Sequence, residues 1–352
     1  MGRRGVIGVL GTALAVACGG PTPPRVILFM ADGAGNGHWT AARIARPDLA
    51  VAAFAVQGQM HSQGVDHLVT SSGPGATAIA TGVRTTLRAV GVGPDEEPVT
   101  TVLEYATARG MGTGLVTTAM LTDATPAAFA THYPKRDHLA AAEQMARQSV
   151  TVLLGGGRMM FANAVLDEGK RALDVMRQRY PYVDTPAALR ALDPDTITAL
   201  LGLFAEEDLP PASQRVPTLA DMTRTALAVL DRDPDGFFLL VETEETDTQA
   251  HANAPFDTIA AEMLAYDDAI RVATEYRARH PGTLVIVTSD HECGGISVHE
   301  DVSGKPVLVY ATTGHTAGLV PVFADGPGAE RFRGLLDNDE VGRRLISLVR
   351  RD

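Results

Sequence analysis

The run Glu242-Thr-Glu-Glu-Thr-Asp247-Thr-Gln-Ala-His251 places a carboxylate and an imidazole four residues apart. On a helix those two share one face and can grip a single cation. Glu242 ends the apolar run before them and can reach the same place from another side, while Glu244 and Glu245 read as solvated acids. A second pair, Asp290-His291, follows the apolar run Leu284–Ser289. Neighbours on a strand point opposite ways, but at a strand end, where the chain turns, both can bend toward one ion. His315 lies in Thr312-Thr-Gly-His-Thr, a stretch of turn-forming residues. The other seven histidines, among them His61, His67 and His299, lack such surroundings and read as surface or core residues.

Asp32 opens Asp32-Gly-Ala-Gly-Asn behind another apolar run, where glycines let the backbone pass close to a ligand. The stretch Val69-Thr-Ser71-Ser72-Gly-Pro-Gly-Ala-Thr77 reads as a tight loop entering a helix. Serine at a helix N-terminus serves either as a plain cap or as a hydroxyl beside N–H groups that favour a phosphoryl oxygen.

Positioning such groups takes strands that end together. Strand-like runs are expected at Val26–Met30, Gly114–Thr117, Val150–Leu154, Phe237–Glu242, Leu284–Ser289 and Pro321–Ala324. Helices are expected at Thr77–Gly82, Val99–Arg109, Leu139–Ser149, Ala220–Asp231 and Thr258–Arg279. That alternation predicts an α/β fold, a mostly parallel central sheet covered by helices on both faces. Asp32, Asp123, Glu242, Asp290 and His291 all follow strand ends, where open α/β sheets bind ligands. Residues 156–235 carry no chemical motif and are expected to form flanking helices and a partial lid.

The chain has 352 residues, 45% hydrophobic and 20% charged, which suits a large buried core. Residues 1–17 have the build of a signal peptide: basic Arg3 and Arg4, apolar Val6–Val16, and an Ala15-Val16-Ala17 cleavage site before Cys18. That arrangement resembles the lipobox of bacterial lipoproteins, with Ala15 where leucine is more usual. Cys18 is thus expected to carry a lipid anchor on an exported protein, with residues 18–25 as a tether and 26–352 as the catalytic domain. Cys18 and Cys293 are the two cysteines, so lipidation of the first rules out an internal disulfide. The net charge is −12, and loss of residues 1–17 removes Arg3 and Arg4 and no acid, leaving −14. Such a balance excludes nucleic-acid binding through a basic face and suits acids held by bound cations.

Taken together, six ordered segments resemble the alkaline phosphatase family: FMADGAG, TSSGPGATAIATGVRT, TDATPAAFATHYPKR, VETEETDTQAH, VTSDHECGG and TTGHT, between about Val26 and Gly328. The resemblance implies hydrolysis of phosphate monoesters, releasing inorganic phosphate, with two Zn(2+) and one Mg(2+) per chain. It implies that Asp247, His251 and His315 hold one zinc, and Asp32, Asp290 and His291 the other. Asp32 would bridge to magnesium held also by Thr125 and Glu242. Ser72 matches the nucleophile, Arg136 the phosphate clamp, and Asp123 an acid that hydrogen-bonds magnesium-bound water. Oligomeric state stays open between monomer and homodimer.

Two positions depart from the family. Ser71 stands where many members have an aspartate that orients the arginine, and Thr248 where a basic or aromatic residue is common. Both are expected to loosen phosphate binding. The short stretch from His291 to His315 implies a reduced surface subdomain. Rival readings are a sulfatase, a phosphodiesterase or nucleotide pyrophosphatase, and a non-catalytic binding lipoprotein. A sulfatase wants arginine where Ala76 stands. A phosphodiesterase usually has threonine for Ser72 and lacks a counterpart of Arg136.

Overall fold

A computed structural model describes residues 23–350. Residues 1–22, with the signal peptide, Cys18 and most of the tether, lie outside the described residues. Ten strands form one sheet in the order 334–337, 56–61, 320–325, 283–288, 25–31, 237–243, 112–120, 152–156, 200–203, 182–183. Seven neighbouring pairs are parallel; Val320–Asp325 runs antiparallel to both of its neighbours.

The central strand Arg25–Ala31 is buried from Val26 onward, as a strand covered on both faces must be. Val26, Leu28 and Met30 join the core on one side of the sheet with Leu115, Phe238, Leu240 and Ile286. Ile27, Phe29 and Ala31 join the other with Val116, Leu239, Val241 and Val287. Helices Ser72–Thr81, Val102–Ala108 and Asn338–Arg350 cover the first face; Asn36–Ala45, Leu219–Leu230 and Phe256–Arg279 cover the second. Among the described residues, no helix is long and apolar enough to cross a membrane.

The register aligns Thr117, Glu242, Met30 and Thr288 in one row across four parallel strands. Just beyond that row the chain leaves the sheet at Asp32, Glu244 and Asp290, so the acids converge on one edge. Residues 156–235 differ from the expected lid: they add strands 182–183 and 200–203 to the sheet and pack helices against it. Apolar Leu200, Leu201 and Leu203 are fully buried, which draws this segment into the sheet instead of over its edge. Between His291 and His315 the chain forms only a small hairpin, 297–300 with 306–309, and a two-residue pairing of His315-Thr316 with Glu292-Cys293.

Candidate metal centre and nucleophile

Helix Ser72–Thr81 begins five residues before the expected Thr77, with Ser72 as its first residue and Ser71 as N-cap. Gly73-Pro-Gly looked like loop, yet proline is tolerated in a first helical turn. Gly75 is required by packing: a Cβ there would lie 2.7 Å from the Asp290 carbonyl oxygen. Close approach of this helix to Asp290 brings the Ser72 hydroxyl to 3.3 Å from His291 Nε2. His291 Nε2 in turn lies 3.3 Å from Asp32 Oδ1 and 3.4 Å from Asp290 Oδ2.

Asp247 and His251 fall on helix Glu245–His251, 3.1 Å apart at His251 Nε2. His251 Nδ1 faces the Thr313 carbonyl at 2.6 Å, and His315 Nδ1 faces the Thr70 carbonyl at 2.9 Å. A carbonyl accepts only, so each Nδ1 carries the proton and donates it. That leaves both Nε2 lone pairs facing each other at 3.1 Å, with Asp247 Oδ1 3.6 Å from His315 Nε2. Three acceptors converging with no donor between them form a cation site.

Orphaned buried atoms mark the rest of the centre. Asp32 Oδ1, Asp247 Oδ1, Asp290 Oδ2, Glu242 Oε1, Thr125 Oγ1 and His291 Nδ1 are buried without a hydrogen-bond partner. Buried polar groups normally find partners, so a cluster of oxygen and imidazole donors fits divalent metal ions. Burial pushes the Glu242 carboxyl up to about 8, against a hydrogen bond from Thr117 at 2.5 Å. Burial and then Asp247 push Asp290 up to about 7, and Asp32 rises well above the carboxylate range through burial, Asp290, Asp247 and Glu242. His291 is held neutral by burial and by His315. Carboxylates crowded this way stay ionised only with cations among them.

Asp123 makes a contact beyond the one the resemblance implies. Its carboxylate is ion-paired with Arg136, which the family comparison had assigned to Ser71's position. Arg136 is therefore gripped by Asp123, a carboxylate from another position than the one Ser71 occupies. Thr248 donates a 2.6 Å hydrogen bond to Glu244. Glu244 and Glu245 are not the solvated acids expected: Glu245 is buried and bonded by Gln249, and burial pushes Glu244 up to about 7. The helix they start must pack its first turn under the sheet edge, which carries them inward.

Ser72, Asp247, His251 and His315 open into a pocket of about 470 Å³ with Arg136, and with Arg88, Lys135 and His138, which the sequence reading passed over. His138, expected to be a plain surface or core histidine, is tied to Thr122 at 3.1 Å and its proton affinity falls through burial and Arg136. Cys293 is a further omission. Its thiol lies within 4.8 Å of donor atoms of Asp247, His251 and His315, and the signal for it was its place two residues beyond His291.

A mostly parallel sheet with carboxylates, histidines and a helix-start serine at one edge defines a metal-dependent hydrolase with a hydroxyl nucleophile. Residues 24–312 match the model of the family described as alkaline phosphatase. Streptomycin-6-phosphate phosphatase of Streptomyces griseus is 36% identical over 96% of this chain and 95% of its own length. Alkaline phosphatase 4 of Bacillus subtilis is 29% identical over 93% and 88%. A solved structure of a variant of alkaline phosphatase from the Antarctic bacterium TAB5, described with Mg bound in the M3 site, superposes with a TM-score of 0.84. It is 30% identical and covers 93% of this chain and 98% of that one. The chain belongs to the alkaline phosphatase family, and its activity is hydrolysis of phosphate monoesters. The alignment with the Streptomyces enzyme runs over 433 positions against 352 residues here, so that relative carries segments this chain lacks.

Proposed function

We propose that the chain cleaves phosphate monoesters through a phosphoserine at Ser72, in a centre holding two Zn(2+) and one Mg(2+). The observation that carries this reading is the convergence of Asp247 with the unprotonated Nε2 atoms of His251 and His315 beside the Ser72 hydroxyl. Asp247, His251 and His315 would hold one zinc, Asp32, Asp290 and His291 the second, and Asp32, Thr125 and Glu242 the magnesium. When bound, these ions supply a lowered pKa at a hydroxyl or water and offset charge on the transferring group. The chain's own residues do the rest. Helix Ser72–Thr81 starts at the nucleophile itself, so its first N–H groups are at hand for the phosphoryl oxygens. Arg136, held by Asp123, offers a planar fork to two of those oxygens. Ser72 attacks phosphorus and the alcohol leaves; water then cleaves the phosphoserine and inorganic phosphate is released.

Metal analysis of purified enzyme, coupled to assay on 4-nitrophenyl phosphate and bis(4-nitrophenyl) phosphate, tests the reading. We expect a strong preference for the monoester, loss of turnover on prolonged chelation, and recovery with zinc plus magnesium. Full activity in metal-free protein, or faster turnover of the diester, contradicts it.

We further infer that the enzyme is exported and anchored through lipid on Cys18, with its active site facing an extracytoplasmic space. The motivation is the Ala15-Val16-Ala17-Cys18 order behind a short apolar segment. Gly19, in place of an aspartate, favours an outer-membrane destination where the source has two membranes. Cys18→Ser releases soluble enzyme on this reading; unchanged partitioning into detergent refutes it.

A further inference from the structure

The pocket above Ser72 is more basic than binding of one phosphoryl group needs. Arg88, Lys135 and Arg136 all line it, in a chain of net charge −12. Arg136 is paired with Asp123. Among the described residues, neither Arg88 nor Lys135 has a carboxylate within ion-pair distance, although both are exposed and acids outnumber bases by 42 to 30. Unpaired cations at a pocket mouth focus field toward anions.

Backbone pairing holds the segments that carry these two residues side by side. Val90 and Tyr133 exchange hydrogen bonds of 3.0 and 2.9 Å, and the Arg136 N–H donates to the Arg88 carbonyl at 3.1 Å. The Arg88 backbone sits at φ +71°, in the left-handed region that favours glycine. A long charged side chain there costs stability, and such strain collects at ligand sites.

On the phosphomonoesterase reading, we propose that Arg88 and Lys135 form a second anion subsite, which takes a phosphate carried on the alcohol part of the substrate. The preferred substrates are then bisphosphorylated: one phosphoryl group reacts at Ser72 while the other rests between Arg88 and Lys135. Both cations lie in the same pocket as Ser72, so the two groups of one small molecule can be engaged together. The step at Ser72 is unchanged: the Ser72 oxygen–phosphorus bond forms and the ester bond to the alcohol breaks.

The test uses metal-loaded enzyme and matched pairs, alkyl monophosphates against alkanediol bisphosphates with three to six carbons. The expected result is a kcat/KM for at least one bisphosphate roughly tenfold above its monophosphate, carried in KM and shrinking as salt is raised. In the variant carrying Arg88→Gly with Lys135→Ala, that ratio falls to about the statistical twofold of having two equivalent esters. Glycine suits the φ at position 88, so this variant is expected to fold, and its circular dichroism checks that. An equal preference in native and variant enzyme, or none in the native enzyme, overturns the subsite while leaving the monoesterase reading intact. Failure of the native enzyme to turn over either member of a pair overturns the underlying reading instead.

Discussion

Removing the metals should make the stability of this protein fall steeply with rising pH. Asp290 and Glu242 are fully buried, and their folded-state pKa values stand near 7 and 8 against ordinary values of 3.8 and 4.5. An acid whose pKa is raised by folding binds more protons folded than unfolded between those two values. These two groups therefore make stability decline as pH rises from about 4 through about 8. At roughly 1.4 kcal/mol per unit, Glu242 alone accounts for about 5 kcal/mol across the window. Asp290 adds to this less than its own shift, because the two acids share a site. That loss is comparable with the whole stability of many domains, about 5–15 kcal/mol. The assay is chemical denaturation of chelated and metal-saturated protein at pH 5 and pH 8.5, followed by circular dichroism. We expect a much lower midpoint at pH 8.5 in the chelated sample only, since bound cations let the carboxylates stay ionised. Equal midpoints at both pH values without metal, or the same loss with metal present, would refute the claim that these acids are crowded without counter-charge.

Other expectations follow from contacts around the nucleophile. Arg136→Ala should lower kcat/KM for monoesters about tenfold to a hundredfold, and less for diesters, which present one charged oxygen fewer to the fork; equal losses on both would place Arg136 away from the phosphate. Because Asp123 already grips Arg136, Ser71→Asp should shift inhibition by inorganic phosphate less than about threefold, and a large tightening would show that Asp123 does not suffice. Gly75→Ala puts a Cβ against the Asp290 backbone, so it should cost about 1–3 kcal/mol of stability and weaken metal retention together; a variant with native melting and native metal content would mean the helix moves away freely.

How far sequence alone reached is seen best at particular residues. The central strands were readable because burial on both faces makes them continuous apolar runs, as at Ile27-Leu-Phe-Met30 and Phe238-Leu-Leu-Val241. The acids and histidines at their ends were readable because the residues that close such strands have few structural reasons to be ionisable. The start of helix Ser72–Thr81 was not, since Gly73-Pro-Gly obeys the packing demand of Asp290 and not local helix preference. Arg88, Lys135 and His138 stayed hidden for a different reason. Arg88 and Lys135 sit on loops, and His138 opens helix His138–Arg147 just after them; the pairing of Val90 with Tyr133 brings these segments to the pocket, which no short-range pattern announces. Glu245 misled because charge usually means exposure, and here its helix starts inside the sheet edge. The pairing of Asp123 with Arg136 is set by the loop geometry around Arg136, which the spacing of the two residues does not announce.

The most direct test of the account is to trap the covalent intermediate. Metal-loaded enzyme is mixed with phosphate-labelled monoester, quenched in acid, digested and mapped by mass spectrometry. The account predicts one phosphate on Ser72, in the peptide spanning Thr70 to Arg84, and none in Ser72→Ala, whose turnover is lost. Label on Ser71, or normal turnover by Ser72→Ala with no labelled peptide, would contradict it.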